Sequence, residues 1–192
     1  MLRMGARQAR GLCDARTVTL VSGSCFPSDG TSPAAPKAWH VLRTMDFRQV
    51  IEARYSARAY RPEPVPDALL TEVLDAERLA PTACNRQPFR LIVIRTRGRE
   101  AELRRIYARD WVSQAPLLIA AVGVPAEGWS RRDGRPHWDV DVTIAFDDLV
   151  LVAASVGLGT CWIAALDPQA VREVLGLPPE VEPLLLPPPT GR

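Results

Sequence analysis

The sequence predicts a single globular domain in which amphipathic helices alternate with short, fully buried strands. Two apolar runs rich in β-branched residues, Leu91 to Ile94 and Leu117 to Val124, read as strands with no solvated face. Apolar residues at helical spacing follow capping signals at Asp46, Asp67 and Asp167. The length of 192 residues fits one domain with room for a tail.

Composition excludes several classes. The chain is 47% hydrophobic and 24% charged, as in an ordinary soluble globular protein. A net charge of +2, with no basic groove interleaved with aromatics, argues against nucleic acid as a partner. Cys13, Cys25, Cys84 and Cys161 are far apart, with no CxxC and no Cys/His pair at zinc spacing, so no metal site is expected. Reduced thiols point to the cytoplasm. No apolar run reaches the roughly 18 residues of a membrane helix.

Residues 1 to 44 differ from the rest. Arg3, Arg7, Arg10 and Arg16 stand among Ala and Gly, and a Ser/Gly/Pro stretch from Ser22 to Pro33 has no period. Such a segment buries too little apolar surface to offset its ordering entropy, and a disordered extension is expected. An Arg-rich, acid-poor start also describes a transit peptide. The preferred reading is a mis-assigned start, with Met45 as the natural first residue and 45–192 as the domain.

From Met45 the elements follow in order. Asp46 and Gln49 form a capping box for a helix to about Ala53, with Phe47, Val50 and Ile51 as its apolar stripe. In Arg54-Tyr55-Ser56-Ala57-Arg58, alternate residues of an extended strand point one way, so two guanidinium forks and a hydroxyl can close on a small dianion. A solvated basic turn is the other reading. After a proline-stiffened connection, Asp67 caps a second helix whose Leu69, Leu70, Val73, Leu74 and Ala76 face the core and which ends before Pro81. The loop from Ala80 to Phe89 is rich in amides and hydroxyls, which suit the edge of a heteroaromatic ring or, alternatively, satisfy the turn's own backbone. Arg99 to Trp111 reads as one helix with Leu103, Ile106 and Tyr107 inward. The long loop from Pro125 to Trp138 is either a lid or an ordinary surface loop.

Asp139 to Val156 is apolar on most sides, hence a buried or interfacial helix, with Asp139 and Asp141 as its cap and dipole partners. Gly157 ends it. The order helix, glycines, strand around Gly157 and Gly159 is the reverse of a dinucleotide-binding fingerprint. Small residues at Ala164 and Ala165 let backbone N–H groups approach a flat ligand, and Cys161 reads as a buried thiol. Asp167-Pro168 starts a helix that ends at Gly176, and Val181 to Leu186 begins a last strand that Pro187 to Pro189 cannot continue. No pair of groups suits general acid–base catalysis.

Four blocks together resemble the nitroreductase family of FMN-dependent oxidoreductases. They are Arg54 to Arg58, Ala80 to Phe89, Asp141 to Ala154 and Gly157 to Ile163, in the family's order within about Met45 to Pro188. The resemblance implies an α+β fold, a central mixed or antiparallel sheet flanked by helices, and a homodimer with FMN at the subunit interface. It implies that Arg54, Ser56 and Arg58 hold the FMN phosphate, with Tyr55 beside them. Pro81, Thr82, Ala83, Asn85 and Gln87 would lie along the flavin, partly from the partner subunit. Gly159, Ala164 and Ala165 would belong to the segment whose backbone donates toward flavin N5, as preorganised electrostatics. NADH or NADPH would then deliver hydride, and a nitroaromatic, quinone or similar electron-poor small molecule would take it up in a ping-pong cycle that needs no catalytic side chain. The alternative is a catalytically silent flavin-binding or interaction module of the same fold. A relative that fragments flavin or dehalogenates substrates has no added catalytic acid to favour it. The family's Gly-Tyr-Pro-like turn and basic tail are expected to be missing after Pro187 to Pro189, which bears on FMN affinity and on dimer stability.

Overall fold

The computed structural model of the chain describes residues 18–21, 45–185 and 190–191. A four-stranded antiparallel sheet lies between two helical layers. Its strands are β1 (Val18–Val21), β2 (Phe89–Arg95), β3 (Leu117–Gly123) and β5 (Glu182–Leu185), in that spatial order. The pairing puts Ile92 opposite Ala120 and Val93 opposite Ile119.

Successive strand residues point to opposite faces, and both faces are covered. Leu91, Val93, Ile119 and Ala121 pack beneath α2 (Asp67–Leu79) and α5 (Trp138–Ser155), against Val73, Ala145, Phe146 and Leu149. Ile92, Ile94, Leu118, Ala120 and Val122 pack on the other side against α3 (Glu100–Ile106), α4 (Asp110–Gln114) and α6 (Pro168–Leu175), through Leu103, Ile106, Val112 and Val171. This explains why β2 and β3 read as continuous apolar runs rather than alternating ones. At roughly 1.5–3 kcal/mol for each fully buried large aliphatic or aromatic side chain, these two layers supply the main drive to fold.

Several boundaries follow from local chemistry. Helix α1 (Phe47–Ala53) carries the expected capping box, with Asp46 accepting from the Gln49 amide at 2.9 Å and Gln49 accepting from the Asp46 amide at 3.0 Å. Asp167 accepts from the amides of Gln169 and Ala170, and Gly176 closes α6 in the left-handed region at φ 62°. There L-residues with a Cβ are strained.

Other expectations are corrected. Pro66, not Asp67, occupies the cap of α2, and Asp67 is its first residue with no capping bond. The Arg99 to Trp111 helix is two helices, because Tyr107 to Arg109 runs extended between α3 and α4. The break lets Tyr107 and Tyr60 both pack on Trp111, with ring centroids 5.8 and 6.0 Å away. Only Val50 of the α1 stripe is buried; Phe47 is 71% exposed and Ile51 points out with it. Within the stretch expected to lack structure, Val18–Val21 pairs antiparallel with the outer edge of β2, Val18 opposite Ile94 and Val21 opposite Leu91. A Val-Thr-Leu-Val run has the β-propensity to close such an edge. The Arg-rich start, the Ser22 to Pro33 stretch and Pro187 to Pro189 lie outside the described residues.

Candidate functional site

The strand after α1 carries the first cluster. Arg54 ends the helix with extended backbone, φ −68° and ψ 128°. Ser56 then forms a parallel bridge with Thr160, and the Ala57 amide donates to the Thr160 carbonyl at 2.9 Å. Ala57 is buried, whereas Tyr55, Ser56 and Arg58 are exposed and Arg54 is half-buried. The Ser56 hydroxyl reaches the Cys161 thiol, and the guanidinium groups of Arg58 and Arg54 act on the same sulfur. Burial outweighs them and pushes that thiol up, so Cys161 is an inert structural thiol as expected. Among the described residues neither Arg54 nor Arg58 forms an ion pair, which leaves two unneutralised cations and a hydroxyl on one short strand. Tyr60 closes the cluster by donating to the Ala57 carbonyl at 2.6 Å, and burial pushes its phenol up.

Gly159 lies in β4 (Leu158–Gly159), paired with β6 (Thr190–Gly191). Beyond it the chain doubles back along α5, because Trp162 meets Phe146 edge-on at 5.1 Å. Ala164 and Ala165 follow and are exposed.

The second cluster is the loop from Pro81 to Gln87. Cys84, Asn85 and Gln87 take left-handed φ values of 54°, 52° and 48°. Three such residues without a glycine are costly and need outside support. Thr82 supplies part of it, its carbonyl accepting from the Asn85 amide at 3.0 Å and its hydroxyl from the Gln87 amide at 3.1 Å. Asp141 supplies another part: its Oδ1 accepts from the Ala83 amide at 2.9 Å across 58 positions of sequence. Arg86 ties the loop to the Gly128 carbonyl at 2.6 Å, and Arg90 ties it to Glu127 by donating to the Gln87 carbonyl at 3.4 Å and to the Glu127 carboxylate at 3.0 Å. The side-chain amides of Asn85 and Gln87 make no hydrogen bond among the described residues, which leaves them open to a ligand.

Asp139 and Asp141 stand in the first turn of α5, as expected of dipole partners, but neither caps it: the cap is His137, with no capping side chain, and Asp141, 3% exposed, also turns to the loop. Sequence reasoning also missed Glu77, which is 2% exposed and forms no hydrogen bond through its buried Oε2. A signal for it existed: Leu70, Val73 and Glu77 stand at i, i+3 and i+7, on the buried stripe of α2.

The two clusters sit at different places along α5. The loop is bonded near its first turn, and Arg54 to Arg58 is bonded to the chain just past its end. Asp141 to Ser155 covers about 21 Å of helix at 1.5 Å per residue. Among the described residues no bond joins the two clusters. On the outer face of α1, α2 and α5 an apolar groove of about 440 Å³ is lined by Phe47, Val50, Ala76, Leu79, Leu151 and Val152 among others. Phe47 and Leu79, 56% exposed, stand beside it. No described residues form a group of three or more potential metal ligands, and no described helix is long and apolar enough to cross a membrane.

Residues 51–111 and 100–187 match the model of the Nitroreductase family. The chain is 29% identical over 168 residues to the NADH dehydrogenase of Thermus thermophilus, covering 71% of this chain and 82% of that protein. It is 28% identical over 146 residues to the FMN reductase [NAD(P)H] of Bacillus subtilis, covering 67% and 59%. A solved nitroreductase family protein from Clostridium difficile superposes with a TM-score of 0.70 at 34% identity, covering 77% of this chain and 85% of that one.

Proposed function

This chain belongs to the nitroreductase family, and on that premise we propose that it is an NAD(P)H-dependent FMN oxidoreductase acting on flat, electron-poor acceptors such as nitroaromatics or quinones. The observation that carries the proposal is the placement of Arg54, Ser56 and Arg58 on one short extended segment, with neither guanidinium group in an ion pair among the described residues. That donor set fits a phosphate monoester: planar, permanently charged forks and a hydroxyl, held by the Thr160 bridge.

FMN held by these residues would supply hydride transfer between a nicotinamide and a second substrate sharing the same pocket. The chain's own residues bind and orient. Arg54, Ser56 and Arg58 hold the phosphate. Gly159, Ala164 and Ala165 leave the backbone close to a flat ligand because no bulky side chain intervenes. Pro81, Thr82, Ala83, Asn85 and Gln87 form a loop held by Asp141, Arg86 and Arg90, and the side-chain amides of Asn85 and Gln87 are its open donors and acceptors. No step needs a protein acid or base, so the two substrates follow each other in ping-pong fashion.

The phosphate strand and the amide loop lie apart along α5 in one chain, and an apolar face of α1, α2 and α5 is left outward. Both are resolved if two copies pack through this face, each lending its loop to the other's phosphate strand. The protein is thus proposed as a homodimer, with the family domain opening at Met45. The free thiols of Cys84 and Cys161 suit a reducing cytoplasm.

The test is spectroscopic. Purified protein reconstituted with FMN is expected to show a bound-flavin absorbance band in the blue that NADH or NADPH bleaches and an acceptor restores. No bound flavin rejects the assignment. Bound flavin without bleaching identifies a silent flavin-binding module.

A further inference from the structure

The far end of the sheet holds a cavity that the flavin reading does not use. Its volume is about 520 Å³, within the range of small-molecule pockets. It opens where β2 ends at Arg95 and β3 begins at Leu117, whereas the 81–87 loop leads into the other end of β2. At about 3.3 Å per residue, β2 puts about 20 Å between its two ends.

The floor of the cavity is apolar and its walls are stiff. Val65, Ala115 and Leu117 are buried there. The Thr96 hydroxyl beside them donates to the Ala115 carbonyl, so its proton is already engaged. Pro62, Pro64 and Pro116 stand at the sides, and a proline ring cannot turn aside because its φ is fixed. A shape set before the ligand arrives lowers the ordering cost of binding. The rim is polar. Arg95 is engaged by Asp67 at 3.3 Å. Arg97 is exposed and forms no ion pair or side-chain hydrogen bond among the described residues, and the Gln114 side-chain amide is likewise exposed and unbonded among them. Glu100 lines the same rim and accepts from the Gly98 amide at 2.9 Å, and its carboxylate repels a second negative charge on any ligand.

We propose that this cavity binds a small monocarboxylate with a flat apolar body, an arylcarboxylate, with its ring on Val65, Ala115 and Leu117 and its carboxylate on Arg97 and Gln114. The guanidinium fork matches the two oxygens of a carboxylate, and the Gln114 amide offers a further N–H donor. The proline walls leave room for a flat ring on the apolar floor. The site goes beyond the oxidoreductase reading and does not rest on it.

The experiment titrates the full-length protein with sodium benzoate and follows the backbone amides by NMR. Saturable shifts are expected at Thr96, Arg97, Ala115 and Leu117. Arg97→Gln removes the open cation from an exposed position and should weaken benzoate about tenfold or more, the worth of one charge-assisted hydrogen bond. Two further probes act on the unaltered protein. Benzyl alcohol lacks the charge and acetate lacks the ring, and each should bind about tenfold or more weakly than benzoate. Shifts absent from 95–97 and 113–117, or confined to 54–58 and 81–87, overturn the site. Benzoate binding that is unchanged in Arg97→Gln, or matched by benzyl alcohol or by acetate, overturns the arylcarboxylate assignment.

Discussion

Gly123, at the end of β3, lies under the indole of Trp138. A Cβ built there would stand 2.2 Å from Cε3 and 2.3 Å from Cζ3 of that ring. Carbon atoms settle at about 3.5–4.0 Å, so in Gly123→Ala the indole must retreat by more than about 1 Å. The ring is stiff, and it starts α5 next to the edge contact between Trp129 and His137 at 5.1 Å, so the retreat is transmitted to the 125–138 loop. Overpacking of this kind costs about 1–3 kcal/mol. In a domain of this size that is a fall in Tm of roughly 2–10 °C. The assay is a double-mutant cycle by thermal melting with Trp138→Leu, which removes the ring. Gly123→Ala should cost most of its penalty in the wild-type background and little in the Trp138→Leu background. Equal costs in the two backgrounds would refute the argument that the indole is what excludes a side chain at Gly123.

Four further outcomes are expected. Arg58→Ala should raise the FMN dissociation constant about tenfold or more, read by quenching of flavin fluorescence; an unchanged constant removes Arg58 from the site. Asp141→Ala strands the part-buried Ala83 amide and should lower stability by about 1 kcal/mol in urea melts, whereas Asp141→Asn keeps an acceptor and should lose less. Phe47→Glu should leave the proposed homodimer monomeric by light scattering, since it puts a charge into the outward apolar face; an unchanged mass would reject packing through that face. The Glu77 carboxyl sits near 7 when folded against an ordinary 4.5, so the folded state holds the extra proton and stability falls as pH rises from about 4.5 to 7. The loss is on the order of 3 kcal/mol, and flat melting temperatures across that window, or a slope that survives in Glu77→Gln, would contradict it.

What could be read from the sequence was what is local. Asp46 with Gln49, and Asp167-Pro168 with Gly176, are complete signals within one or two helical turns, and each formed as read. The strands at Leu91 and Leu117 were legible because both sheet faces are covered, which erases alternation. Arg54 to Arg58 was legible as an extended segment, and the structure shows extended backbone at Arg54 and a bridge from Ser56 to Thr160. The rest depends on distance. Asp141 was legible as a helix-start acid, but its bond to the Ala83 amide was not, because the two are 58 positions apart. The break between α3 and α4 goes with the packing of Tyr60 on Trp111, and Tyr60 lies 51 positions upstream, outside any local window. Phe47 and Ile51 form a proper helical stripe, but the stripe faces away from this chain's own core.

The pairing of Val18–Val21 with β2 has a practical consequence. A protein begun at Met45 presents the bare amides and carbonyls of Leu91 to Ile94 along an apolar rim. Such a rim is a template for any other extended chain. Four upstream residues thus act as a selvedge, finishing a woven edge that would otherwise unravel into aggregates, and the boundaries chosen for expressing the protein decide whether it is kept.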